Sequence, residues 1–178
     1  MELPIYYLTV DSDGFKFLSF VKNPANDVNW VKLNKSIKLN LNEEQHIVTS
    51  AVLIPDQKIL REGYYISFSA DSIKEIARQL INKSKQVDIN HKEQQVEGIV
   101  LQEVYLKNSL TGINPIWFTD LPDGTLIASY KVYNPEIWSK IKSGELNGFS
   151  VELIGYTEEL LYNDIYKTIK KLKNLNDA

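Results

Sequence analysis

Gly144-Glu145-Leu146-Asn147-Gly148-Phe149-Ser150-Val151-Glu152 is the stretch where a helix ends and a strand begins, with a serine near the strand's start. Gly144 suits the left-handed residue that closes a helix, and Gly148 lets the backbone approach a neighbour just ahead of Ser150. A hydroxyl is thereby set at a defined place. Serine alone is a weak nucleophile, so chemistry at Ser150 needs a base within hydrogen-bond reach and a group to orient that base. The same Gly-Phe-Ser pattern also serves plain packing and turn formation. The chain has two histidines, His46 and His91, and only His91, in Val87-Asp88-Ile89-Asn90-His91, adjoins a plausible strand.

Upstream of Gly144, Asn134-Pro135-Glu136 opens a helix with an N-cap, a proline at its first position and an acid in its first turn, and Ile137, Trp138 and Ile141 give its apolar face. A second helix begins at Ser72, where Glu75 completes a capping box, and Ile73, Ile76, Ala77, Leu80 and Ile81 recur at helical spacing to about Lys83. A third is expected over residues 156–175, capped by Thr157, with acids in its first turn and lysines at its end.

β-branched and aromatic runs predict strands at residues 3–10 and 15–21, joined as a hairpin through Asp11-Ser12-Asp13-Gly14. Further strands are expected at 30–33, 47–54, 64–68, 87–89, 96–106 and 125–132, and alternation at Ile37, Leu39 and Leu41 favours an exposed edge strand over a connecting loop between 34 and 45. On the 96–106 strand Glu103 is the odd residue of its face, which by alternation alone reads as an exposed or edge-strand carboxylate. Residues 107–120 form a long polar connection of the kind that often carries function. The resulting expectation is an α+β fold: one β-rich domain over residues 1–178, with a mixed or antiparallel sheet or barrel-like core and two to three packed helices.

Composition excludes several function classes. With 43% hydrophobic and 24% charged residues the chain reads as a soluble globular protein, and no apolar run approaches the roughly 18 to 20 residues that span a bilayer. A net charge of −3 argues against nucleic acid as a partner. Without cysteine there is no disulfide, thiol nucleophile or zinc-thiolate site, and no His-Glu-x-x-His motif supports a metal. No cofactor is expected, and a cytosolic protein is.

In order along the chain, Ser19-Phe20-Val21-Lys22-Asn23-Pro24-Ala25-Asn26, Val52-Leu53-Ile54-Pro55-Asp56, Tyr65-Ile66-Ser67-Phe68-Ser69, Asn90-His91, Val100-Leu101-Gln102-Glu103-Val104-Tyr105, and Asn147-Gly148-Phe149-Ser150-Val151-Glu152 resemble the phage prohead, or capsid-maturation, serine proteases of the XkdF-like branch. The resemblance implies an assemblin-like fold and a serine endopeptidase with Ser150 as nucleophile and His91 as general base. It implies scaffolding and major capsid proteins as substrates, cut inside the assembling procapsid in the host cytoplasm, with homo-oligomerisation and self-cleavage as further possibilities. Related proteases place an acid in a Glu-Val-Ser-Leu-Val stretch, where this chain has Phe17. The orienting role then passes to another residue, to water or to nothing; the resemblance of the segment around Glu103 to the family's Val-Val-Glu-Ser-Trp stretch points first to Glu103, then to Glu152, two residues beyond Ser150 on the same strand face at about 7 Å, and third to Asp88. Gly148 and the 107–120 loop are where oxyanion donors are expected.

Two other readings compete. A catalytically inactive structural or scaffold-binding head protein with the protease fold is motivated by the missing acid and by Tyr156, Tyr162 and Tyr166. An unrelated peptide- or ligand-binding α+β domain rests on composition alone.

Overall fold

The computed structural model describes residues 3–25, 31–33, 45–83, 87–92 and 95–157. The helix expected over 156–175 and the edge strand expected between 34 and 45 lie almost wholly outside these residues. Among the described residues are nine strands and two α-helices, in an α+β arrangement whose mixed sheet curls into a half-barrel. Strand β1 (Ile5–Val21) organises it. Its first half pairs in parallel with β5 (Tyr64–Ser67), its second half in parallel with β6 (Val87–Ile89), and β9 (Gly148–Thr157) runs antiparallel along its other edge. The short β4 (Ile59–Arg61) extends this sheet beyond β5. A second sheet has the order β2 (Val31–Leu33), β3 (Ile47–Leu53), β8 (Leu126–Val132), β7 (Ile99–Leu106).

The expected N-terminal hairpin does not form. Asp11 to Gly14 instead bulge out of a strand that keeps its direction, because β9 bridges the interruption by pairing Gly155 with Val10 and Leu153 with Phe15. Side chains of the helix α1 (Ala70–Asn82) hold the bulge. Gln79 Nε2 donates to the Asp11 carbonyl and Gln79 Oε1 accepts from the Phe15 N–H, both at 2.8 Å. Lys83 Nζ donates to the Phe15 carbonyl at 2.6 Å and pairs with Asp13 at 2.7 Å. Gly14 is required here, since a Cβ would lie 2.1 Å from the Ile154 carbonyl oxygen.

Helix α1 starts one turn earlier than its pattern predicts. The Ser69 hydroxyl, not Ser72, caps it by accepting the Ser72 N–H at 3.1 Å. Glu75 pairs with Gln79 and Arg78, whose hydrogen bonds hold its carboxyl below the usual range. Ile73, Ile76, Ala77 and Leu80 are buried as expected, while Ile81 is 54% exposed. Helix α2 (Pro135–Ser143) follows its signals closely: Asn134 Oδ1 accepts from the N–H groups of Glu136 and Ile137, and Gly144 closes it at φ 79°.

The two sheets meet through an aromatic cluster. Tyr130 of β8 packs edge-on against Phe20 of β1 and Phe149 of β9, with ring centroids 5.6 and 5.3 Å away, and Phe20 and Phe149 lie 5.1 Å apart. All three are buried, and each such side chain contributes about 1.5–3 kcal/mol of burial. This cluster fixes Phe149 inward. Strand alternation then turns its neighbour Ser150 to the opposite face of β9.

Candidate active site

Register across three strands decides what surrounds Ser150. Ser19 of β1 pairs with Asp88 of β6 on one side and with Ser150 of β9 on the other, so Asp88, Ser19 and Ser150 form a row across the sheet. Two residues along, Phe17 of β1 stands opposite Glu152 of β9 and shares the same face. Directly opposed residues have Cβ atoms about 4.5–5.5 Å apart. The result is a square patch of Phe17, Ser19, Ser150 and Glu152.

His91 covers this patch. It follows β6 through a turn in which Asn90 and His91 both take left-handed backbone, at φ 56° and 54°. Such conformations cost non-glycine residues about 1–3 kcal/mol each and gather at functional sites. The turn is secured by the Asn90 N–H donating to the Phe20 carbonyl at 3.0 Å and the Val96 N–H donating to the Val87 carbonyl at 2.9 Å. It carries the imidazole back over the sheet. His91 Nδ1 lies 3.2 Å from the Ser19 hydroxyl and 3.5 Å from Glu152 Oε2, and the ring packs at 6.0 Å from Phe17. Three corners of the square thus touch the imidazole, and Ser150 is the fourth. Among the described residues no hydrogen bond joins Ser150 to His91.

The two serines differ in access. Ser19 is fully buried and donates its hydroxyl proton to Asp88 Oδ1, a carboxylate that is itself only 2% exposed. Ser150 is half-buried and, with Glu152, lines a cavity of about 280 Å³ walled by Ile59, Ile66, Phe68 and Leu153, with Arg61 and Tyr64 also lining it. Phe149 and Val151 also line this cavity, and His91, Ser19 and Phe17 do not. Ser19 has neither the access nor the free proton that a nucleophile needs.

Glu103 lies elsewhere. It sits on β7, paired with Ser129 of β8, is exposed, and accepts from the Ser129 hydroxyl at 3.4 Å. Among the described residues no contact joins it to His91 or Ser150. The strand after His91, β7, joins the other sheet, next to β8, and so carries Glu103 away from the histidine. Glu152 is the acid that meets the imidazole, directly across from Phe17, where the acid of related proteases was expected. Asp88 reaches His91 only through Ser19. Ser19 is the site residue that sequence reasoning missed, although a lone hydroxyl inside Phe17-Leu18-Ser19-Phe20-Val21 is a detectable signal for a buried polar contact.

His46 stacks on Trp138 at 4.4 Å, a packing role. The 107–120 loop is tied to the turn that follows it: the Ser109 hydroxyl and N–H, then Lys107, donate to Asp123 and hold its carboxyl below the usual range. Residues of this loop do not line the Ser150 cavity. Among the described residues no cluster of His, Asp and Glu could hold a metal ion.

Residues 35–159 match the family described as Putative phage serine protease XkdF. This chain belongs to that family. The matched span contains His91, Glu103, Ser150 and Glu152, and begins after Ser19. No curated protein and no solved structure matches the chain.

Proposed function

We propose that this XkdF-family chain is a phage serine endopeptidase that cuts scaffolding and capsid proteins within the assembling procapsid, in the host cytoplasm. Ser150 is the nucleophile, His91 the general base and Glu152 the acid that orients it. The observation that carries this reading is the square patch under His91: the register of β1 and β9 puts Ser150 and Glu152 on the face the imidazole covers. Family membership supports the same chemistry, and the curled sheet with its two helices supports an assemblin-like fold.

In this mechanism Ser150 Oγ attacks the scissile carbonyl as His91 takes its proton. Glu152 then faces the imidazolium and lowers its energy, which is the role of the acid in serine triads generally. The cavity along β9 has room for an apolar substrate side chain, with Arg61 among its lining residues, although His91 does not line it. The missing hydrogen bond between Ser150 and His91 is the one observation that favours an inactive head protein instead. Catalytic hydrogen bonds are often long before substrate binds, so the geometry keeps the protease ahead.

Coexpression of this chain, or its Ser150→Ala variant, with the scaffolding and major capsid proteins encoded beside it separates the two readings. Intact-mass measurement should show cleavage only with the unmodified chain. Uncleaved proteins assembled into heads in both cases would establish the inactive head protein.

A further inference from the structure

We infer that Asp88 and Ser19 are positioning residues that fix which nitrogen of His91 carries the proton. The argument is proton accounting along the row. Asp88 as a carboxylate has no proton to give, so the contact between Asp88 and Ser19 uses the only proton of the Ser19 hydroxyl. The Ser19 oxygen, 3.2 Å from His91 Nδ1, can then act only as an acceptor. Glu152, the other group at Nδ1, is also a carboxylate and also accepts only. A neutral His91 therefore carries its proton on Nδ1, shared between Ser19 and Glu152. Its Nε2 is left as a bare lone pair, the form a general base needs to take a proton from a nucleophile.

The two acceptors at Nδ1 are not equivalent. Glu152 is 41% exposed, and water competes for its oxygens. Ser19 is fully buried on the central strand, between β6 and β9, and Asp88 behind it is 2% exposed. The buried pair is thus the rigid part of the arrangement, and Glu152 the adjustable one. It also holds a second negative charge one hydroxyl away from the imidazole, where it steadies the imidazolium formed during proton transfer. Asp88, placed third among the acids by its distance in sequence, acts through Ser19 and not by touching the ring. Among the described residues, the charged and titratable groups bonded to His91 are Glu152 directly and Asp88 through Ser19.

The catalytic meaning of this arrangement rests on the proposed protease function, but its test does not. With only two histidines in the chain, selective ¹⁵N-histidine labelling gives a spectrum that His91→Ala assigns at once. At alkaline pH, where imidazole is neutral, His91 should show a protonated Nδ1 and an unprotonated Nε2, opposite to the tautomer that free histidine favours. Ser19→Ala and Asp88→Asn should each shift the population toward Nε2–H, and Ser19→Thr, which keeps the hydroxyl, should retain the native tautomer. Nε2–H in the unmodified protein overturns the inference without recourse to any variant. An unchanged tautomer in folded Ser19→Ala also overturns it, because Glu152 alone would then suffice. If Asp88→Asn does not fold, Ser19→Ala decides, since it removes one oxygen and leaves the carboxylate in place. An Nδ1–H tautomer in a protein that cleaves nothing would sink the protease reading and leave this one standing.

Discussion

Each of the two sheets places a strand serine hydroxyl against a carboxylate of the neighbouring strand, and the two pairs differ in burial and in what lies over them. On the β6–β1–β9 face, Ser19 donates to Asp88, both are buried, and an imidazole on strained backbone lies against the hydroxyl. On the β3–β8–β7 sheet, Ser129 approaches an exposed Glu103 at 3.4 Å and bonds Thr49 at 2.8 Å, and among the described residues no histidine bonds to either Ser129 or Glu103. The second arrangement is ordinary cross-strand polar pairing. An acid and a serine become a site only where a third group is brought over them at some cost, and here that cost is the left-handed backbone of Asn90 and His91.

The comparison is tested most severely at its proposed catalytic side. Ser150→Ala and His91→Ala should each reduce cleavage of capsid or scaffold protein by about 10³-fold or more while leaving thermal unfolding cooperative. Glu152→Gln should reduce it roughly ten- to hundredfold, less than the ~10⁴ known for a buried orienting acid, because Glu152 is 41% exposed. Glu103→Gln should leave the rate within about twofold. A loss in Glu103→Gln as large as that in Glu152→Gln would erase the distinction between the regions.

Smaller effects concern stability. His91→Gly should be more stable than His91→Ala by about 1 kcal/mol in denaturant unfolding, since glycine accepts φ 54° without penalty. Equal stability of the two would remove strain from the account. Tyr130 belongs to the β3–β8–β7 sheet but packs on Phe20 and Phe149 of the other one. Its buried hydroxyl has no partner among the described residues, and burial pushes its phenol well above the usual range. Tyr130→Phe should therefore be neutral or stabilising by up to about 1 kcal/mol, and a clear loss would reveal a hydrogen bond to that oxygen.

Much of this was legible in the sequence, for reasons that can be named. Asn134, Pro135 and Gly144 bound α2 because caps are local chemistry, and Ser150 followed on its strand for the same reason. His91 stood out because it is one of only two histidines. What was hidden is non-local. Asp11-Ser12-Asp13-Gly14 has a hairpin's composition, and only Gln79 and Lys83 from a distant helix, with β9 across the gap, make it a bulge. Glu103 matched a family-like segment, but strand order put it in the other sheet. Glu152 and Ser19 could be ranked only once the β1–β9 register was known, since it places Phe17 opposite Glu152 and Ser19 opposite Ser150.

The most direct test of the central claim needs no substrate. A fluorophosphonate forms a covalent bond with an activated serine, and the modified protein can be weighed intact and mapped by peptide. A single adduct on Ser150, lost in His91→Ala, reduced in Glu152→Gln and unchanged in Glu103→Gln, is the predicted result. An adduct on Ser19 or Ser129, or labelling of Ser150 that does not depend on His91, would contradict the account.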